Sequence, residues 1–197
     1  SAGGYDEAMS TDVITKKLFT VDEFQRMGEV GILAEDCRYE LIRGEVIEMP
    51  RPGSPHASRV KRLNRLFTSR LGESVIVSVQ DPVILDRYSE PVPDVALLRP
   101  RVDFYASENP SPEDVLLLVE VADSSLKWDR TVKAELYAET KIAEYWVLDV
   151  RGGALIVHSN PQKGAYETIV TLCRGETIRP SQLSGIVFTV DEILGME

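Results

Sequence analysis

Val115-Leu116-Leu117-Leu118-Val119-Glu120-Val121 is apolar at every position but one, and its reading decides the fold. A continuous apolar run of this length reads as a strand covered on both faces. A helix is expected from Trp128 to about Thr140, and Glu144-Tyr145-Trp146-Val147-Leu148-Asp149 reads as a second buried strand. Strand, helix, strand in that order implies a right-handed crossover and two locally parallel strands. The exception inside the run is Glu120, and a lone buried carboxylate needs a cation, a basic partner or a raised pKa.

Working outward, Thr20-Val21-Asp22-Glu23 has the form of a capping box, and Phe24 and Met27 follow at helical spacing, which predicts a helix over 21–29. Tyr39 to Ile42, Arg43-Gly44 and Glu45 to Glu48 read as a β-hairpin. After a loop rich in Pro, Gly and Ser, Ser54 can cap a helix with Pro55 at its first position. His56, Val60, Leu63, Phe67 and Leu71 form its apolar stripe, ending at Gly72. Val75 to Val79, Val83 to Leu85, Asp94 to Leu98, Ala154 to His158, Tyr166 to Leu172 and Ile186 to Val190 read as strands, with a turn at Asn160 to Gly164 and a last short helix over Val190 to Leu194. The architecture expected is a mixed α/β sheet flanked by helices. A disordered polar arm is expected over 1–17, with Ser1 to Ser10 its Gly-containing start, ahead of a single domain over 18–197.

A chain of 197 residues with 43% hydrophobic and 27% charged residues suits one soluble globular domain. It contains no apolar stretch of the roughly 20 residues a bilayer span needs, and its start lacks the apolar stretch of a signal peptide. Cys37 and Cys173 are far apart and form no CxxC pair, which fits free thiols in a reducing cytoplasm. His56 and His158 are the only histidines, and neither has metal-ligand spacing to a cysteine. The net charge of −10 argues against non-specific coating of nucleic acid but not against a local basic cleft. GxSxG, HExxH and phosphate-binding Gly-rich motifs are all missing, which leaves a small-molecule hydrolase little support.

Asp94 behind Pro93, Glu120 and Lys133 form the candidate site. Two carboxylates and an amine are what metal-assisted cutting of a phosphodiester requires, the acids holding a hard cation and the lysine positioning water or steadying phosphate charge. Each has a plainer reading. Asp94 could cap local amides as a turn former, Glu120 could escape to solvent at a strand end, and Lys133 could pair with Asp129 four residues earlier. Lys127 and Arg130 compete for the role of Lys133. His56, on an apolar stripe, reads as a core histidine satisfied by backbone. Arg59, Lys61, Arg62, Arg65 and Arg70 form a basic face with no acid between Pro55 and Leu71. Arg59 and Arg62 are the candidates there for phosphate contact, against a plain solvated face.

Tyr39-Glu40-Leu41-Ile42-Arg43-Gly44-Glu45, Pro91-Val92-Pro93-Asp94-Val95-Ala96, Val119-Glu120-Val121 and Glu144 to Asp149 occur here in the order in which the Uma-two family carries similar motifs. The chain resembles that family of restriction-endonuclease-like proteins, part of the PD-(D/E)XK nuclease superfamily, over about Phe19 to Leu194. The resemblance implies a restriction-endonuclease-like fold and a metal-dependent endonuclease acting on DNA; a homodimer would suit the cutting of both strands, though no residue demands it. It implies catalytic acids at Asp94 and Glu120, with Glu40 assisting, and Mg²⁺ or Mn²⁺ bound by Asp94, Glu120 and the Val121 carbonyl. The superfamily's usual lysine position holds Ala122, so the amine moves to Lys133 on the following helix. Glu40 could equally be a solvated strand residue by alternation. Ala122-Asp123-Ser124-Ser125 and Lys141-Ile142-Ala143 depart from the family's usual residues beside the site. The competing expectation is a nuclease-fold binding protein that does not cut.

Overall fold

The computed structural model describes residues 14–195, so the polar arm Ser1 to Ser10 lies outside the described residues. The elements are α1 (Val21–Glu29), β1 (Arg38–Ile42), β2 (Glu45–Met49), α2 (Ser54–Leu71), β3 (Ile76–Ser78), β4 (Val95–Leu98) and β5 (Val115–Ala122). They continue as α3 (Leu126–Trp128), a π-helical turn (Asp129–Lys133), α4 (Ala134–Glu139), β6 (Glu144–Asp149), β7 (Ala154–Gln162), β8 (Ala165–Leu172), β9 (Thr177–Ile178), β10 (Phe188–Thr189) and α5 (Val190–Leu194).

Six strands form one mixed sheet in the order β3-β4-β5-β6-β7-β8. Only β5 and β6 run parallel, joined by the helical crossover between them; the other neighbours are antiparallel. All eight residues of β5 are buried, as a strand with helices on both faces requires. From Leu117 onward its side chains alternate between two cores, the register shift opposite Leu98 breaking the alternation at Val115 and Leu116. Leu117, Val119 and Val121 pack with Val60, Leu63 and Phe67 of α2 and with Phe188 and Ile193 near the C-terminal end. Val115, Leu118 and Ala122 face Ala134, Leu136, Tyr137 and Ala138 of α4 and its approach. Glu120 shares the parity of Leu118 and Ala122, which aims it at the crossover helix.

Local chemistry accounts for most element ends. Thr20 and Glu23 complete the capping box of α1, and Thr189 and Glu192 do the same for α5. The β1–β2 turn has positive φ at Arg43 (51°) and Gly44 (80°), the pattern of a tight two-residue hairpin loop. Lys163 (50°) and Gly164 (80°) repeat it between β7 and β8.

Four expectations are corrected. Val83 to Leu85 is not a strand. The amides of Val83, Ile84 and Leu85 bond to the carbonyls of Pro91, Pro110 and Ser89, and two of those acceptors are prolines with no N–H to return a ladder bond. The crossover helix starts at Leu126 rather than Trp128 and contains a π-turn. The β7 strand runs on to Gln162 through Pro161, so the turn shrinks to Lys163-Gly164. The last strand is only Phe188–Thr189, paired with β9, a strand the sequence pattern did not announce. Among the described residues no helix is long and apolar enough to cross a membrane, and Cys37 and Cys173 are unbridged.

Candidate functional site

Asp94 stands one residue before β4, and the β4–β5 register pairs Val95 with Val119. Extending that antiparallel register by one residue sets Asp94 opposite Glu120. Their carboxylates interlock with the backbone across the two strands. The Asp94 amide donates to Glu120 Oε2 at 3.2 Å, and the Val121 amide donates to Asp94 Oδ2 at 2.9 Å. Asp94 Oδ1 accepts from Gln80 Nε2 at 3.1 Å.

Lys133 arrives from the crossover. Its Nζ donates to Glu120 Oε1 at 2.7 Å and to Glu40 Oε1 at 3.0 Å. Tyr137, one turn on, donates its hydroxyl to Glu120 Oε1 at 3.2 Å. Glu40 comes from β1, only 2% exposed, and also accepts from the Val92 amide at 3.3 Å. Four segments far apart in sequence therefore meet in one cleft. Lys127 and Arg130, the competitors of Lys133, are exposed and do not line it.

His56 requires a correction. It is not satisfied by backbone; its Nε2 lies 2.8 Å from Asp94 Oδ2, and its ring lines the same cleft. Helical periodicity could place it on the inner face of α2 but could not tell a core neighbour from a carboxylate. Asp129 was also underweighted, as a simple surface partner for Lys133. It is 2% exposed, accepts from the Ser125 hydroxyl at 2.5 Å and lines the cleft. Asp129 and Lys133 are the two buried residues of the π-turn, four apart and so on one face. Gln80 and Tyr137 left no signal in the sequence. Arg59, a candidate for phosphate contact, instead donates to the Leu194 carbonyl, whereas Arg62 is exposed.

Acid outweighs base in the cleft. Glu40, Asp94, Glu120, Asp123 and Asp129 line it together with Lys133, Arg38, Arg51 and His56. Burial pushes the Glu120 carboxyl well above the usual range; Lys133 pulls it down, while Asp94, Asp129 and Glu40 push it further up. Burial raises Asp129 as well, against Lys133 and Ser125. Burial also opposes the charge on Lys133, but Glu120 and Glu40 overcome it and hold the amine well above its ordinary value. Asp94 goes the other way. Burial would raise it, yet His56, the Val121 amide and Gln80 together hold it below the usual carboxylate range.

Whether these residues suit a hard divalent cation can be judged from their atoms. Glu40 Oε2 is buried with no hydrogen-bond partner, and the carboxylate excess is what a bound cation would offset. Among the described residues no three Asp, Glu, His or Cys side chains form a finished cation cage. Mg²⁺ needs few protein ligands, because it keeps several waters. The donor chemistry fits, because Glu40, Asp94, Glu120 and Asp129 bring hard carboxylate oxygens to the cleft, whereas Val121 does not line it.

The model of the Uma2 family, described as "putative restriction endonuclease", matches residues 21–191. A solved structure described as a "putative nuclease", from Anabaena variabilis, is similar with a TM-score of 0.70 and 16% identity, covering 89% of this chain and 97% of that one. At that identity the likeness speaks to the fold alone. No curated protein matches.

Proposed function

This chain belongs to the Uma2 family of restriction-endonuclease-like proteins, and from that premise we propose that it is a Mg²⁺- or Mn²⁺-dependent endonuclease hydrolysing phosphodiester bonds in DNA. One observation carries the reading: Lys133 Nζ sits 2.7 Å from Glu120 and 3.0 Å from Glu40, while Glu120 and Asp94 interlock across adjacent strands. Asp94 and Glu120 would hold the cation. When bound, it supplies positive charge to the phosphate oxygens and lowers the pKa of a coordinated water. Lys133, kept charged by its two carboxylates, orients the attacking water or meets the charge growing on phosphorus-bound oxygen. Glu40 holds Lys133 in place, and His56 and Gln80 fix the Asp94 carboxylate. A two-fold dimer would present one such cleft to each strand of a duplex.

Plasmid nicking with Mg²⁺ or Mn²⁺ tests the assignment. Cutting by the parent chain and none by Asp94→Asn is the expected outcome; equal traces from both would refute it. A second reading, a nuclease-fold binding protein, draws on the protein groups that already engage both acids: the Val121 amide, Gln80 and His56 on Asp94, and Lys133 on Glu120. Metal binding without cutting of any nucleic acid would favour it.

A further inference from the structure

We propose that the outer face of α2, through Lys61, Arg62 and Arg65, holds the phosphate backbone of double-stranded DNA on one side of the cleft. The proposal rests on the nuclease reading and adds where the substrate lies. The face carries five basic residues and no acid in a chain of net charge −10, and the structure divides them. Arg59 is tied to the Leu194 carbonyl. Arg70 is tied to Glu192 and the Val187 carbonyl and lies over the Phe188 ring. Both fasten α2 to the C-terminal end. Lys61, Arg62 and Arg65 are exposed and have no ion pair among the described residues.

These three share one shallow surface with Ser54 and Ser58, whose hydroxyls can add hydrogen bonds to phosphate, and with Glu192, whose carboxylate Arg70 holds. An amphipathic helix that is merely solvated usually intersperses acids with its bases at i,i+4 spacing. Here three bases meet a single acid, Glu192, already paired with Arg70, so the surface keeps a net positive charge that suits an anion. Axial position supports the same occupant, which would reach these side chains over the face of α2 opposite to His56. The helix begins at the cleft, where Gly53 and His56 line it. Lys61 to Arg65 follow five to nine residues after His56, about 8 to 14 Å along the axis. A duplex laid along the helix would meet them roughly two to four base pairs from the scissile phosphate, at about 3.4 Å per base pair.

The test is binding of a short fluorescein-labelled DNA duplex, without divalent metal, across about 50 to 200 mM salt. The full chain is compared with a Lys61→Gln, Arg62→Gln, Arg65→Gln triple variant and with an Arg26→Gln, Lys141→Gln, Lys163→Gln control of equal charge change. Each lost phosphate contact flattens the slope of log affinity against log salt by about 0.9. The α2 variant should therefore be shallower than the parent by about 2 to 3, and the control unchanged. Equal slopes for both variants, no binding by the parent, or a change seen on duplex RNA alone overturns the proposal. Plasmid nicking separates the two readings. A parent that cuts while the α2 slope is unchanged sinks this surface only; a parent that binds with the expected slope difference yet never cuts sinks the nuclease assignment only.

Discussion

Lys133 is the residue on which the cleft depends. Its ammonium is 1% exposed and satisfies two buried carboxylates. Removing it leaves Glu120 and Glu40 unpaired, and breaking a buried ion pair costs about 3–5 kcal/mol. Lys133→Ala should show that loss by urea unfolding at neutral pH. Glu120 has a folded pKa above its unfolded value, so its contribution favours the fold at low pH and is lost as pH rises through the folded value. The deficit of Lys133→Ala should therefore shrink on acidification. His158 gives the opposite slope. Burial lowers its pKa from 6.5 to about 4, so the stability is present above the free value and lost as pH falls toward 4. Stability of the parent should drop by about 3 kcal/mol across that window from this group. His158→Phe, whose ring can take the place of the imidazole between Tyr145 and Tyr166, should flatten the drop in pH-dependent unfolding. Legibility at this scale was uneven. Glu120 stood out because a charge inside an apolar run is conspicuous. Asp129 and His56 did not, because each had an ordinary local explanation.

Elements follow local rules wherever the chain ends or turns. Gly44 has φ of 80°, and a Cβ there would come 2.6 Å from Leu18 Cβ. Gly44→Ala therefore meets both backbone strain and a clash, and should lose more than about 1 kcal/mol in denaturant unfolding. Equal stability would show that the β1–β2 turn relaxes freely. The hairpin and α1, both legible from turn and capping residues, needed no tertiary information. Val83 to Leu85 was misread because apolar alternation cannot tell whether a neighbour will supply a ladder, and proline carbonyls supplied only half of one. The π-turn was invisible for a related reason. Asp129 and Lys133 at i,i+4 suit an ordinary α-helix, and nothing in the local sequence distinguishes it from the π winding found there.

At the scale of the whole molecule, the cleft joins β1, the β4–β5 pair, the start of α2 and the crossover helix. A cation bound there would tie these segments together, and binding to the folded state alone raises stability by about 2.7 kcal/mol at a hundredfold excess over the dissociation constant. Mn²⁺ should then raise the melting temperature of the parent by roughly 5–10 °C and leave Asp94→Asn unmoved. A parent that melts at the same temperature with and without Mn²⁺ would remove the metal from the account.

Apolar run length and the strand–helix–strand order determined the buried β5 strand, its parallel partner β6 and the helix between them, because both are properties of contiguous residues. Composition set a soluble-type core, and order of motifs set the family. Only the tertiary structure decided that Glu40 faces inward, that His56 holds Asp94, and that Arg59 and Arg70 are spent on the C-terminal end while Lys61, Arg62 and Arg65 stay open. Those outcomes depend on register between strands and on which residues distant in sequence become neighbours, and no window of contiguous residues contains that information.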